Sequence, residues 1–292
     1  MSSPHRETRA FKAAQGLKLT ADCFGNPDAP PVLLFHGGGQ TRHAWGGTAE
    51  ALAREGWYAV SCDLRGHGDS DWCDEGRYYF GDYGADAVAI AAQFDSPPVL
   101  VGASLGGIAS LWAVTQASER PLAAGLVLVD IATRMESDGA QRIRKFMTAQ
   151  PEGFASLEEA ADAIAAYNPH RKRSGDLKGL EKNLRRGEDG RYRWHWDPRF
   201  MEGRDFNRSK SDLQKLDDAA GRLELPVLLV RGRMSDLLSE EGARHFLDRV
   251  PHAHFADVSG AGHMVAGDRN DAFTRSVTNF LREEVRPEPL NA

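Results

Sequence analysis

Five short stretches of the chain are apolar at most positions: Pro31–His36, Trp57–Asp63, Pro98–Ala103, Gly125–Asp130 and Pro226–Arg231. A sixth run, His254–Val258, leads into Ser259-Gly260-Ala261-Gly262-His263. In most of them the hydrophobic residues are continuous rather than alternating. Strands read that way when both faces of the sheet are covered, as in a parallel sheet. Between the runs, apolar residues recur at helical spacing over about Arg42–Arg54, Asp82–Phe94, Leu105–Ser118, Glu240–Arg249 and Asp268–Leu281. Strand followed by helix, repeated, predicts an α/β fold: a doubly wound, mostly parallel sheet with helices on both faces. The segment about Glu7–Phe24 is expected to add a leading antiparallel hairpin.

From about Ala132 to Leu223 the alternation stops and no strand pattern is evident. Helical patterns run over Asp138–Ala149, Leu157–Tyr167 and Leu177–Arg186. The second opens on Ser156-Leu157-Glu158-Glu159, which matches a capping box. The expected organisation is therefore a core of residues 1–131 and 224–292 with a helical cap of residues 132–223. Open parallel sheets bind ligands at the carboxyl ends of their strands. A cap placed there would wall a substrate pocket.

Composition narrows the function classes. The 292 residues are 41% hydrophobic and 27% charged, enough for a sizeable core. The net charge of −6 argues against nonspecific nucleic-acid binding, which needs a basic face. No apolar run approaches the roughly 20 residues of a membrane-spanning helix. Met1–Ala10 is polar and lacks the apolar stretch of a secretory signal. Three cysteines, Cys23, Cys62 and Cys73, are an odd and sparse set, so the expected setting is a reducing cytoplasm without disulfides. There is no CxxC and no HExxH, so neither a metal nor a cofactor is expected.

The sharpest chemical signal is Gly102-Ala103-Ser104-Leu105-Gly106, between an apolar strand and a helical pattern. A strand that turns at once into a helix strains its middle residue, and only small neighbours fit beside it. Ser104 would then stand above the sheet at a helix N-terminus, with the Leu105 N–H aimed at an oxyanion. A glycine-rich turn with an idle serine is the plain alternative, and the strand–turn–helix context argues against it. A serine hydroxyl needs a base. His263, in the loop after the last strand, is the candidate. His36 is expected to be structural, and His245, His252 and His254 to lie at the surface. The base needs a carboxylate to orient it. Asp236, past the penultimate strand, is the expected acid, with Asp130 at the end of the strand after the nucleophile helix as the runner-up. The loop His36-Gly37-Gly38-Gly39 is built for close backbone approach, and the Gly38 N–H is expected to be the second oxyanion donor, with Gly37 and Gly39 beside it.

Four blocks in this order resemble the α/β-hydrolase superfamily: Phe35–Gly39, Asp63–Ser70, Gly102–Gly107 and Gly262-His263. The resemblance covers nearly the whole chain and is closest to the lid-bearing branch of esterases, lactonases, cofactor-free perhydrolases and C–C bond hydrolases. It implies Ser104 as nucleophile, His263 as base, Asp236 as acid, and Leu105 and Gly38 as oxyanion donors. The block Asp63–Ser70 is mainly a structural turn in such relatives. Epoxide hydrolases and haloalkane dehalogenases on this fold carry aspartate at the elbow, so Ser104 argues against both. C–C hydrolases often follow the base with tryptophan, where Met264 stands here.

The expected activity is hydrolysis of a small-molecule carboxylic ester or lactone through an acyl-enzyme. A C–C bond hydrolase, a cofactor-free perhydrolase and a non-catalytic ligand receptor remain as alternatives. In the cap, Trp194 and Trp196 are expected to bind substrate, with Tyr192 and Phe200 beside them and Arg191 or Arg193 available to a carboxylate. The competing expectation is that these aromatics glue the cap to the core.

Overall fold

Alternate residues of the apolar runs serve opposite faces of one sheet. In β3 (Pro31–Phe35), Val32 and Leu34 pack into one core and Leu33 and Phe35 into another. The same division holds in β5 (Val99–Ala103), where Val99 and Val101 oppose Leu100, and in β6 (Gly125–Val129), where Val127 and Val129 oppose Leu126 and Leu128. This is why the runs are apolar throughout: side chains alternate across a strand, and here both sides are covered. Fully burying one such leucine stabilises the fold by about 1.5–3 kcal/mol.

The computed structural model describes residues 4–116, 121–167, 177–202, 206–263 and 270–285. Its main sheet has eight strands in the order β1 (Arg6–Lys12), β2 (Lys18–Phe24), β4 (Tyr58–Cys62), β3, β5, β6, β9 (Val227–Gly232) and β10 (His254–Val258). β2 is antiparallel to both β1 and β4, so the expected leading hairpin is present. The pairs from β4 to β10 are all parallel. One face is covered by α1 (Gly46–Arg54) and α10 (Asn270–Phe280). The other carries α2 (Phe80–Ala91), α3 (Leu105–Thr115) and α9 (Glu240–Arg249). The strand order reverses at β3, which has β4 on one side and β5 on the other. A crevice opens at such a switch point. The loops that leave β3 and β5 there are Gly37–Gly39 and Ser104.

Between β6 and β9 lies the inserted stretch. It begins with α4 (Ser137–Thr148) and α5 (Leu157–Tyr167), close to where periodicity placed them. At the start of α5 the Ser156 hydroxyl accepts the Glu159 N–H at 3.2 Å. The Glu159 carboxylate reaches past Ser156 to the Ala155 N–H at 2.6 Å. The expected helix Leu177–Arg186 is replaced by one turn, α6 (Lys178–Glu181), and a strand, β7 (Leu184–Arg186). β7 pairs antiparallel with β8 (Tyr192–Trp194), so the stretch is not purely helical. The turn explains the hairpin. Gly190 sits at φ 78°, which suits glycine, and Asp189 accepts the Arg191 N–H at 3.1 Å. Phe154, Ala160 and Leu184 form a small core under this hairpin. After the short α7 (Arg199–Glu202) comes α8 (Phe206–Ala220), whose Leu216 and Ala220 join the main core against α2, α3 and α9. α8 thus packs with the sheet's helices and, through residues such as Leu213, also faces the cavity at the strand ends.

Candidate active site

The turn between β5 and α3 carries Ser104 at φ 47°, ψ −113°, a conformation that side chains other than glycine rarely adopt. Its neighbours explain the surrounding glycines. A Cβ on Gly102 would fall on the Gly106 carbonyl, one on Gly106 on the Phe35 carbonyl, and one on Gly107 on the Ile131 side chain. The strain is held by backbone bonds: Ser104 N–H donates to the Val129 carbonyl at 3.1 Å and Gly106 N–H to the His36 carbonyl at 3.2 Å. Ser104 is half-buried and faces a cavity of about 1110 Å³. Leu105 is the first residue of α3, where a helix leaves its N–H groups without partners of its own.

His263 lines the same cavity, and its Nδ1 lies 2.7 Å from Asp130 Oδ2. Asp130 therefore stands where Asp236 was expected. The reason lies in the two loops. Asp130 follows β6 directly, is fully buried and has φ 51°, which swings its carboxylate toward the neighbouring strand end. There Oδ1 accepts the Gly232 N–H at 2.8 Å, and Oδ2 accepts the Ser235 hydroxyl at 2.5 Å as well as His263. Asp236 points the other way. Its exposed carboxylate pairs with Arg142 of α4 at 2.9 Å. A carboxylate that accepts Nδ1–H fixes the tautomer in which Nε2 is free to take a proton.

In the β3 loop the amides flanking Gly38 are already engaged. Gly37 N–H donates to Gln40 Oε1 at 3.0 Å and Gly39 N–H to His67 Nε2 at 3.2 Å. His36 is structural, as expected. It is fully buried, its Nε2 accepts the Leu64 N–H at 3.0 Å and its Nδ1 donates to the Gly37 carbonyl at 2.8 Å. Burial pushes its pKa down to about 3. Of the outer histidines, His245 pairs with Asp217 at 2.7 Å, His252 bonds the Leu225 carbonyl and His254 faces Glu284. The block Asp63–Ser70 is a buried scaffold. Asp63 meets the Arg42 guanidinium, and Arg65 forks onto Asp86 with two bonds of 2.6 Å.

Trp194 and Trp196 both line the cavity, stacked at 4.9 Å and 11°. Trp194 also meets Phe154 edge-on at 5.2 Å, so it glues the inserted stretch as well as walling the pocket. Phe200 lines the cavity, but Tyr192 is absent from its wall. The two arginines do not reach it either. Arg191 donates to the carbonyls of Glu152 and Gly153, and Arg193 pairs with Asp189. Ile131, Ile143, Met147 and Leu213 extend the apolar part of the wall, and Arg134, Arg144, Lys182 and Lys210 bring charge to it elsewhere. His195, which sequence reasoning passed over, does not line the cavity but lies with its Nε2 3.3 Å from the Gly39 carbonyl. It is buried and accepts the Gly68 N–H at 2.7 Å. Its position inside an aromatic and arginine-rich cluster gave no signal of its own. Among the described residues no group of three or more His, Cys, Asp and Glu side chains is placed to hold a metal ion, and no helix is long and apolar enough to cross a membrane.

The model of the α/β hydrolase fold family matches residues 30–269. The chain belongs to that family. Among curated relatives of this hydrolase, the esterase Rv0045c of Mycobacterium tuberculosis is 29% identical over 263 residues, covering 87% of this chain and 83% of its own. The 3-hydroxybutyrate-oligomer hydrolase of Cupriavidus necator is 29% identical over 258 residues, covering 82% and 85%. A crystal structure of the M. tuberculosis esterase superposes with a TM-score of 0.74 at 26% identity, covering 97% of this chain and 93% of that one. An E-2-(acetamidomethylene)succinate hydrolase superposes with a TM-score of 0.81 at 23% identity over 95% of this chain and 100% of that one, a likeness of fold.

Proposed function

We propose that this α/β hydrolase cleaves a small carboxylic ester or lactone through a Ser104–His263–Asp130 triad. The observation that carries the reading is the pairing of half-buried His263 with buried Asp130, opening onto the cavity that holds the strained Ser104. The esterase relatives support ester chemistry over the other reactions open to this fold.

The proposed triad would work in the following steps. Ser104 Oγ attacks the substrate carbonyl while its proton passes to His263 Nε2. Asp130 holds Nδ1–H and stabilises the imidazolium that forms. The carbonyl oxygen, now negative, is met by the N–H groups of Leu105 and Gly38. Each such donor is typically worth about 10²–10³ in rate. The alkoxide leaves with the proton from His263. A water molecule, deprotonated by the same histidine, then attacks the acyl-enzyme, and Ser104 recovers its proton. The apolar patch of Trp194, Trp196, Phe200 and Met147 suits a hydrophobic acyl or alcohol group.

The test is hydrolysis of p-nitrophenyl butyrate by the wild type and by Ser104→Ala, with circular dichroism matched. Loss of turnover and of fluorophosphonate labelling in a folded Ser104→Ala supports the assignment. Turnover that persists in that variant overturns it.

A further inference from the structure

Three buried histidines touch consecutive peptide units of the loop after β3, and the third comes from the inserted stretch. The peptide that ends in the Gly38 N–H is held at its carbonyl, Gly37 O, by His36 Nδ1 at 2.8 Å and by the Gln40 N–H at 3.1 Å. The next peptide is held at the Gly39 N–H by His67 Nε2 at 3.2 Å. The one after it is held at the Gly39 carbonyl by His195 Nε2 at 3.3 Å.

The tautomers follow from the partners. His36 Nε2 accepts the Leu64 N–H, so its proton sits on Nδ1 and donates to Gly37 O. His67 Nε2 accepts the Gly39 N–H, so its proton sits on Nδ1 and donates to the Arg65 carbonyl at 2.9 Å. His195 is reversed. Its Nδ1 accepts the Gly68 N–H, so its proton sits on Nε2 and donates to Gly39 O. Each ring accepts a backbone N–H and must be neutral to do so. Burial enforces this for His195, whose pKa falls to about 3. Met147 and Trp196 pack on Gly39 from the same side, within 3.1 Å of where a Cβ would stand.

We propose that His195 is a positioning residue: together with His67 it clamps Gly39 from both sides and fixes the direction of the Gly38 N–H toward the oxyanion. The inference rests on the reading of Gly38 as an oxyanion donor. It gives the inserted stretch a part in the chemical step beyond walling the pocket. A donor fixed in advance stabilises developing charge without reorganising, and a misplacement of about 1 Å can cost up to about 100-fold.

Two conservative variants separate the two bonds of His195. In His195→Gln the amide nitrogen keeps a donor near the Nε2 position. In His195→Asn the amide oxygen keeps an acceptor for the Gly68 N–H, but the donor to Gly39 O is lost. The readouts are kcat and KM on p-nitrophenyl butyrate and the affinity of an alkylboronic acid, whose oxygen occupies the oxyanion position. The expected result is a kcat about 10-fold lower in His195→Asn with KM unchanged, boronate affinity falling in parallel, and kcat within about 3-fold of wild type in His195→Gln. Equal kcat in the two variants, or a change in KM alone, overturns the clamp. A dead Ser104→Ala alongside that result leaves the triad standing and removes only the role of His195. On the wild type, ¹⁵N NMR of the histidine rings must place the His195 proton on Nε2 and those of His36 and His67 on Nδ1. A proton on Nδ1 of His195 overturns the proposal whether or not the variants fold.

Discussion

Asp130 and Asp236 both follow a core strand, and both carry a carboxylate near the active end of the sheet. Their surroundings assign them opposite work. Asp130 is fully buried and receives three donors, from Gly232, Ser235 and His263. Asp236 is half-buried, with its carboxylate at the surface, and holds Arg142, which also bonds the Tyr167 carbonyl at 2.7 Å. Asp130→Asn is therefore expected to cut kcat by about 10³–10⁴, since an amide in place of the carboxylate favours the wrong tautomer of the base. Asp236→Asn is expected to leave kcat within about 3-fold and to cost less than about 1 kcal/mol, the usual worth of an exposed ion pair. Steady-state kinetics and urea unfolding of the two variants check both statements, and the reverse ranking would restore Asp236 as the acid. The sequence carried only part of this. Ser104 was legible because the glycines around it are the residues a close-packed strand-to-helix turn demands. The acid was not, because two strand-end aspartates look alike until a backbone φ decides which way each one points. Ser235 holds the clue in hindsight: its hydroxyl bonds Asp130 and also accepts the N–H groups of Leu237 and Leu238, so this loop serves the acid rather than supplying it.

At the scale of elements, legibility follows burial. Strands covered on both faces write continuous apolar runs, and the central strands of the sheet lie within a residue or two of those runs. The hairpin β7–β8 is three residues per strand, carries arginines at Arg185, Arg186 and Arg193, and packs on a core of its own, so neither period shows. That small core still matters to the site. Phe154 is buried beneath the hairpin and meets the ring of Trp194, which stacks on Trp196 in the cavity wall. The hairpin is followed directly by the segment that docks on the core. Asp197 N–H donates to the Gly66 carbonyl at 2.8 Å, and Tyr78 donates its hydroxyl to Asp197 at 2.6 Å. Phe154→Ala is expected to cost about 3–5 kcal/mol of local packing. Because the main core does not depend on it, the loss should fall on the inserted stretch first. Hydrogen exchange should then rise in α5 and β8 while β3, β5 and β6 stay protected, and KM for hydrophobic esters should rise. Uniform loss of protection across the sheet would mean that the hairpin is integral to the main core.

Over the whole molecule, the buried neutral histidines tie stability to pH. His36 and His195 have pKa values lowered to about 3 by burial, against about 6.5 in an unfolded chain. The sign is fixed by which state binds the proton. Below pH 6.5 the unfolded chain protonates these rings and the folded chain does not, so stability falls as pH falls. Each ring contributes a slope that approaches about 1.4 kcal/mol per pH unit, and the loss ends near pH 3, where the folded rings protonate too. Asp63 and Asp86, whose pKa values burial raises, work the other way once pH drops into their folded range, because the native state then takes up protons. Across the window between pH 6 and 5 the histidines pull stability down as pH falls. Urea unfolding of the wild type is expected to show a clear fall in stability across that window. His195→Gln, with one fewer ring to protonate, is expected to fall less steeply by about 1.4 kcal/mol per unit. The groups that face His195 electrostatically are His67, Arg185 and Asp69, all of which the variant retains. An unchanged slope would mean that His195 is protonated in the folded state at pH 5. It would then be unable to accept the Gly68 N–H, and its placement between the loops of Gly39 and Gly68 would need another account.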